Sequence, residues 1–212
     1  MSNLAYKNED FDKIKEELID GKIIMMSPRP RINHNRVCTA ISREFSLYLK
    51  GKTCEAFSDG VDVFLDEKNR FIPDVMIVCN PDIVDDEGVH GVPDLVVEIL
   101  SPTTARFDRG KKKDAYEKAG VKEYWIVDTF SRSIEVYLLN ENKRFELENV
   151  YYHYSNEEKN KIKSLPEDSA ERIKIYDEIK VSLYDDFIIK LDDIFARVRW
   201  DIKIILAHYS FL

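Results

Sequence analysis

The chain of 212 residues is 44% hydrophobic and 34% charged, a composition that is typical of folded globular proteins and excludes the disordered and membrane-embedded classes. No apolar run could span a bilayer, and residues 1–20 lack the basic and apolar regions of a secretory signal, so we expect no membrane association and a cytoplasmic location. The formal net charge of −8 argues against general coating of nucleic acid, since binding to phosphates needs a locally positive surface.

The length of the chain sets the expected domain organisation. One hydrophobic core suffices, so we predict a single domain over residues 1–212, with its core at about residues 6–154. Residues 155–174 are rich in Glu, Lys, Asn, Ser and Asp, which predicts a charged excursion. Residues 178–212 regain apolar character and are expected to return to the domain, ending in a docked helix at residues 200–212.

The three cysteines, Cys38, Cys54 and Cys79, are an odd number and are widely spaced in the sequence. No two of them form the short pair that is typical of a metal site. We therefore expect three buried free thiols.

The first predicted elements are a β-hairpin and an amphipathic helix. Two short apolar runs within residues 17–26 flank Asp20-Gly21, which favours a two-residue turn because both positions tolerate positive φ. Between residues 33 and 50, apolar side chains recur at helical spacing, which predicts a helix with one buried face.

Two strand predictions follow this helix. Alternating residues at 61–65, a polar turn and an apolar run at 72–78 predict a second hairpin. The nearly continuous apolar run at residues 95–100 predicts a central strand that is covered on both faces.

A crossover helix is predicted at about residues 108–119, ending at Gly120, which suits a helix C-cap. A strand at residues 124–127 follows, and strands on both sides of one helix indicate a βαβ unit. The remaining predicted elements are strands at 133–139, 144–154 and 180–184 and a helix within 188–195.

Glu98 lies inside the apolar run at residues 95–100, where its carboxylate would have little access to water. Because burial of an unpaired charge is costly, a proton, a cation or a metal must neutralise it. Alternate residues of a strand share a face, so Asp74 and Glu98 can point into one space if their strands are neighbours. Carboxylates suit Mg²⁺ or Mn²⁺, which can polarise a phosphate and activate water, and this pair therefore predicts phosphodiester hydrolysis.

The most basic stretch of the chain, residues 106–113, follows the predicted Glu98 strand. Ligands of α/β sheets collect at the carboxyl ends of strands, so a lysine there could hold the attacking water or offset charge in the transition state. A solvated helix start is the alternative for each lysine. The predicted nucleic-acid-binding residues of this stretch are Arg106, Arg109, Lys111 and Lys113.

Three segments carry a family resemblance: residues 72–75 (IPDV), 92–102 (VPDLVVEILSP) and 116–128 (YEKAGVKEYWIVD). Together they resemble the Uma2 family, whose members are described as putative restriction endonucleases and form a branch of the PD-(D/E)XK nuclease superfamily. The similarity extends from about Tyr6 to Val127, with a weaker match at residues 194–195.

The resemblance implies an α/β fold with a restriction-endonuclease-like core, in which helices flank a mixed central sheet and an N-terminal hairpin precedes it. It implies that Asp74 and Glu98 are catalytic residues and metal ligands, with Mg²⁺ or Mn²⁺ as the cofactor and DNA as the substrate. A homodimer would allow both DNA strands to be cut.

The catalytic lysine departs from the superfamily pattern. The superfamily places it two residues after the strand glutamate, where this chain has Leu100. The resemblance implies that the lysine has moved to the next helix, at Lys112, and the neighbours Lys111 and Lys113 leave the register open by one residue.

The predicted first helix supplies two further candidates by resemblance. The superfamily often adds an acid from this helix, and Glu44 would be that additional metal ligand. His34 matches a family histidine, which would contact phosphate or move a proton, and a structural histidine is the alternative.

Two function classes compete on this sequence. The first is a metal-dependent endonuclease that hydrolyses phosphodiester bonds in DNA. The alternative is a non-catalytic nucleic-acid-binding or regulatory module that retains the nuclease fold, and it is favoured by Leu100 and the negative net charge. A Ser or Cys hydrolase is disfavoured because the sequence has no Gly-x-Ser-x-Gly motif.

Overall fold

The N-terminal hairpin forms where the sequence predicts it. In the computed structural model, which describes residues 15–26 and 30–199, β1 (Glu16–Ile19) pairs antiparallel with β2 (Lys22–Met25). Asp20 and Gly21 form the turn with φ of 54° and 73°, the left-handed region that a two-residue hairpin turn requires. The docked helix predicted at residues 200–212 lies outside the described residues.

The predicted first helix is confirmed as α1 (Ile32–Leu49). Its apolar stripe, including Val37, Ile41 and Phe45, is fully buried against the central sheet. The periodicity of the sequence therefore located both the helix and its buried face.

The predicted hairpin over residues 61–78 has the wrong second strand. The structure pairs β4 (Val63–Asp66) with β5 (Asn69–Phe71), and these strands join β1 and β2 in one antiparallel sheet. The chain then leaves that sheet at Pro73, which has no backbone N–H for a strand ladder. β6 (Val75–Val78) belongs to the central sheet and pairs with β3 (Glu55–Ser58), a strand that the sequence did not predict.

The central sheet has six strands in the order β10-β9-β8-β7-β6-β3. Its remaining members are β7 (Leu95–Ile99), β8 (Glu123–Asp128), β9 (Ser133–Leu139) and β10 (Phe145–Tyr152). β7 and β8 are parallel, whereas the other neighbours are antiparallel, so the sheet is mixed as expected. All five residues of β7 are buried, which confirms a central strand covered on both faces.

The crossover between β7 and β8 contains two helices. The helix predicted at residues 108–119 begins later, as α3 (Lys111–Ala119), and a separate short helix, α2 (Ala105–Asp108), precedes it. α3 ends at Gly120, whose φ of 98° confirms the predicted C-cap.

The side chains of alternate β7 residues pack into two different hydrophobic clusters, one on each face of the central sheet. Val97 belongs to a cluster with the buried face of α1, and Val96 belongs to a cluster with Tyr116 of α3 and Phe71 of β5. Strand alternation therefore directs Glu98, two residues after Val96, toward α3 and the N-terminal sheet.

The C-terminal part of the described chain returns to the α1 side of the sheet. α4 (Asn156–Ser164) lies in the predicted charged excursion and buries no residue. β11 (Glu178–Lys180) and β12 (Ile188–Lys190) form a small hairpin, and α5 (Leu191–Phe195) follows. The strand predicted at 180–184 is thus shifted, and the helix predicted within 188–195 begins as a strand. No helix among residues 15–26 and 30–199 has the length and apolar character needed to cross a membrane.

The prediction of three free thiols is wrong for two of the cysteines. Cys54 and Cys79 form a disulfide, and only Cys38 is a buried free thiol. The register of β3 and β6 pairs Glu55 with Val78, so the next positions, Cys54 and Cys79, lie directly opposite each other. This pairing was hidden because β3 was not predicted.

Candidate active site

The structure brings Asp74 and Glu98 to adjacent positions on neighbouring strands. β6 and β7 pair Val75 with Val97, and extending this register by one residue sets Asp74 opposite Glu98. Such directly opposed residues have Cβ atoms about 4.5–5.5 Å apart. The backbone N–H of Ile99 donates a hydrogen bond of 2.7 Å to Asp74 Oδ2, which fixes the carboxylate beside β7.

Glu98 is held from the α3 side. Its Oε1 lies 2.7 Å from Lys112 Nζ and accepts a 3.0 Å hydrogen bond from the Tyr116 hydroxyl. Burial raises the pKa of Glu98 well above its ordinary value, although the Lys112 charge opposes this rise, and the nearby acids Asp108 and Asp74 reinforce it. The carboxylate therefore needs a proton or a cation to offset its charge.

Lys112 is the lysine of the basic stretch that faces the interior. Its side chain is only 1% exposed, and its Nζ lies 2.7 Å from Glu98, 3.0 Å from Glu17 and 3.6 Å from Asp108. Burial alone would lower the pKa of Lys112, but these three carboxylates raise it well above its ordinary value. Lys112 is thus a buried ammonium group that is paired with carboxylates. The alternative prediction, a solvated lysine at a helix start, is wrong for this residue.

Glu17 is a member of this cluster that the sequence reasoning missed. Its Oε1 accepts the Lys112 ammonium and also the backbone N–H of Ile72 at 2.9 Å. Glu17 of β1 therefore links Lys112 to the backbone at Ile72, two residues before Asp74. The sequence held a signal that Glu17 is buried, because Glu17 and Ile19 lie on the same face of a strand and Ile19 is a core residue.

Asp108 is the second missed member. It is buried at the end of α2, four residues before Lys112, and its Oδ1 has no hydrogen-bond partner among the described residues. Burial raises the pKa of Asp108, against the opposing charge of Lys112. Glu17, Glu98 and Asp108 thus surround one ammonium group, and negative charge is in excess.

His34 connects α1 to this site. Its Nε2 lies 3.3 Å from Asp74 Oδ2, and each of the two side chains is 15% exposed. Burial lowers the pKa of His34, but the hydrogen bond and the charge of Asp74 more than offset this effect, so the pKa is raised overall. His34 and Asp74 therefore form the part of the site that reaches solvent.

We expect Asp74→Asn to lower the pKa of His34, because burial then acts without the opposing carboxylate charge. A raised histidine pKa contributes stability below the unfolded-state pKa of about 6.5, and that stability is lost as the pH rises through the folded-state pKa. Titration of the imidazole resonances by NMR measures the shift. Asp94→Asn, which removes a carboxylate that pairs with Lys122 instead, is the control and should leave the His34 titration unchanged. An unchanged His34 titration in Asp74→Asn would contradict the contact.

Glu44 does not join Asp74 and Glu98. Its Oε1 accepts two hydrogen bonds from Arg43, at 2.9 and 2.7 Å. Glu44 also follows His34 by ten residues, which is about 15 Å along a helix. Among the described residues, no group of three or more His, Cys, Asp or Glu side chains is arranged to hold a metal.

The four predicted nucleic-acid-binding residues lie on the surface around α2 and α3. Arg109 forms an ion pair with Glu135 at 2.8 Å, and Lys111 forms one with Asp20 at 2.9 Å. The two others are Lys113, whose Nζ lies 3.6 Å from the centre of the Tyr137 ring, and Arg106, which is exposed. Two of the four cations are therefore already paired with acids.

Comparison with known proteins agrees with the observed fold. Two uncharacterised proteins of Synechocystis sp. are 30% and 31% identical over 136 and 127 residues, which cover 63% and 58% of this chain and 71% of each relative. A solved structure of a putative nuclease of DUF820 from Anabaena variabilis covers 89% of this chain and 93% of its own. Its TM-score is 0.63 at 18% identity, so this likeness concerns the fold alone.

A family model described as "Putative restriction endonuclease" matches residues 4–171, which is most of the chain. The matched region contains every element from the N-terminal hairpin to α4, including all residues of the buried cluster. By this match, the chain belongs to the Uma2 family.

Proposed function

We propose that this protein is a divalent-metal-dependent endonuclease that hydrolyses phosphodiester bonds in DNA. The observation that carries the proposal is the apposition of Asp74 and Glu98 beside the buried ammonium of Lys112. The family description points to the same reaction class.

The side chains fit a hard divalent cation. Three buried carboxylates share one ammonium group, and the buried Oδ1 of Asp108 has no hydrogen-bond partner among the described residues, so the cluster favours additional positive charge. Mg²⁺ is often bound by one or two carboxylates and keeps waters and phosphate oxygens in its other positions. Asp74 and Glu98 are therefore a sufficient protein ligand set, and Mn²⁺ accepts the same oxygen ligands.

Each residue of the site has a distinct role in this proposal. A bound cation supplies the polarisation of the scissile phosphate and activates water. Lys112 and Tyr116 fix Glu98 through Oε1, which leaves Oε2 as the oxygen for the cation. Lys112 remains protonated and offsets negative charge that develops on the phosphate. His34 is exposed enough to move a proton at Nε2 or to contact a phosphate.

The proposal also includes the expected surroundings of the enzyme. Arg106, Arg109, Lys111 and Lys113 are proposed to contact the DNA backbone, although two of them would first have to leave their acidic partners. A homodimer with two active sites would cut both strands. A cytoplasmic location fits an enzyme that acts on DNA.

Cleavage of supercoiled plasmid by the purified chain tests the function. We expect nicked or linear DNA in the presence of Mg²⁺ or Mn²⁺ and no product in EDTA, together with Mn²⁺ binding that is detectable by calorimetry. Cleavage that persists in EDTA would contradict metal dependence. Metal-independent, salt-sensitive DNA binding without any cleavage would favour the non-catalytic module instead.

A further inference from the structure

A second basic surface lies at the start of α1. Arg36 Nη1 donates a hydrogen bond of 3.0 Å to Asn33 Oδ1, and Asn33 Nδ2 donates one of 2.7 Å to the carbonyl of Arg199. The N–H of Arg199 also donates to Asn33 Oδ1, at 3.4 Å. Arg31 immediately precedes the helix, and its carbonyl accepts the N–H of Asn35. The Arg36 side chain and the Arg199 backbone therefore meet at Asn33, two residues after Arg31. Arg31, Arg36 and Arg199 are hereafter the α1 arginines.

The α1 arginines adjoin the candidate active site. Asn33 is followed directly by His34, whose Nε2 contacts Asp74 at 3.3 Å. α1 has no acidic residue in its first turn and no side-chain cap at its N-terminus, so the partial positive charge of this helix end is not offset locally. A phosphate held at this surface would therefore lie near His34, which contacts Asp74 of the proposed metal-binding pair.

The α1 arginines differ from most other arginines in their partners. Six arginines form ion pairs with described carboxylates: Arg43, Arg70, Arg109, Arg132, Arg144 and Arg172. Among the described residues, no such ion pair involves Arg31, Arg36 or Arg199, and the same holds for the exposed Arg106 and Arg197. The guanidinium groups of the α1 arginines can therefore bind phosphate without breaking an ion pair with any described carboxylate, which is an advantage in a chain with net charge −8.

We propose that the α1 arginines are the principal DNA-contact surface and hold the phosphate backbone so that the scissile phosphate reaches Asp74 and Glu98. The planar guanidinium group matches a phosphate with two parallel hydrogen bonds, and each phosphate contact releases counterions from DNA. This inference rests on the proposed endonuclease function. It differs from that proposal in assigning the main contacts to the start of α1, and only secondary contacts to α2 and α3.

The salt dependence of DNA binding tests this surface. We expect Arg36→Ala/Arg199→Ala to weaken binding of a fluorescent duplex in EDTA and to reduce the slope of log K against log salt by about 1.8, since each phosphate contact contributes about 0.9. Arg31→Ala, which removes no described side-chain hydrogen bond, should reduce the slope by about 0.9. This single variant keeps the test valid if the double variant does not fold.

Two matched double variants serve as controls, because each also removes two positive charges. Lys161→Ala/Lys163→Ala alters exposed lysines of α4 and should leave the slope unchanged. Arg109→Ala/Lys111→Ala alters paired cations and should change the slope less than loss of the α1 arginines does. A normal slope in all variants of the α1 arginines, with a reduced slope for Arg109→Ala/Lys111→Ala, would overturn the inference.

The wild-type protein separates this inference from the proposed function. If the wild type cleaves DNA with Mg²⁺ or Mn²⁺ while the variants of the α1 arginines bind as it does, only the location of the surface is wrong. If the wild type binds DNA through the α1 arginines but never cleaves it, the surface is supported and the endonuclease proposal fails.

Discussion

Asp74→Asn and Glu98→Gln are each expected to reduce Mg²⁺-dependent DNA cleavage by about a thousandfold. Each substitution would remove one negative charge from the ligands of the proposed cation. Such a cation stabilises the transition state by several kcal/mol. A loss of each 1.36 kcal/mol corresponds to about a tenfold decrease in rate. Both replacements keep a side-chain oxygen as hydrogen-bond acceptor. The new amide oxygen can therefore still accept the Ile99 N–H in the first variant and the Tyr116 hydroxyl in the second. Single-turnover nicking rates and Mn²⁺ calorimetry measure the effect.

Asp94→Asn is the control for both variants. Asp94 immediately precedes β7, accepts the N–H of Cys79 at 2.8 Å and pairs with Lys122 at 2.7 Å, so its carboxylate is committed elsewhere. Its substitution should leave cleavage and Mn²⁺ affinity close to those of the wild type. Wild-type rates in Asp74→Asn or Glu98→Gln would remove the metal assignment.

Lys112→Met is expected to lower the free energy of unfolding by about 3–5 kcal/mol at pH 8, because it leaves buried carboxylates without their cation. The raised pKa values of Glu98 and Asp108 mean that the folded state binds their protons more tightly than the unfolded state does. Stability linked to these groups is therefore present at low pH and is lost as the pH rises through their folded-state pKa values. The deficit of Lys112→Met should accordingly shrink as the pH falls.

Urea unfolding at pH 5 and pH 8, followed by far-UV circular dichroism, measures this difference. Lys111→Met is the matched control, since Lys111 is exposed and pairs with an exposed acid, Asp20. It should unfold like the wild type at both pH values. Equal losses in the two variants would show that Lys112 is not the cation of the buried cluster. Of these two lysine variants, only Lys112→Met is expected to lose DNA cleavage.

The elements that the sequence predicted well are those with a strong local signal. The run at residues 95–100 is apolar because β7 is buried on both faces, and Gly120 ends α3 because its φ is positive. β3 was missed because Glu55–Ser58 has only four residues and no buried one. The boundary between β5 and β6 was missed because apolar residues precede Pro73 and resume directly after Asp74.

The candidate site was only partly predictable, because its members come from distant parts of the chain. The sequence identified Asp74 and Glu98 as carboxylates next to or within apolar strands, but their apposition depends on the register of β6 and β7. The choice among the three lysines had a usable signal, since Lys112 lies four residues before Tyr116 on one face of α3 and both are buried. Glu17 lies 95 residues from Lys112, and no local pattern could have joined them.

The position of Glu17 in β1 has a consequence for shortened forms of the protein. A fragment that starts at α1 would retain both proposed metal ligands and every strand of the six-stranded sheet. It would nevertheless lack Glu17, which accepts hydrogen bonds from the Lys112 ammonium and from the backbone N–H of Ile72. Proteolytic removal of the first two strands is therefore expected to abolish the proposed endonuclease activity while the six-stranded sheet is kept.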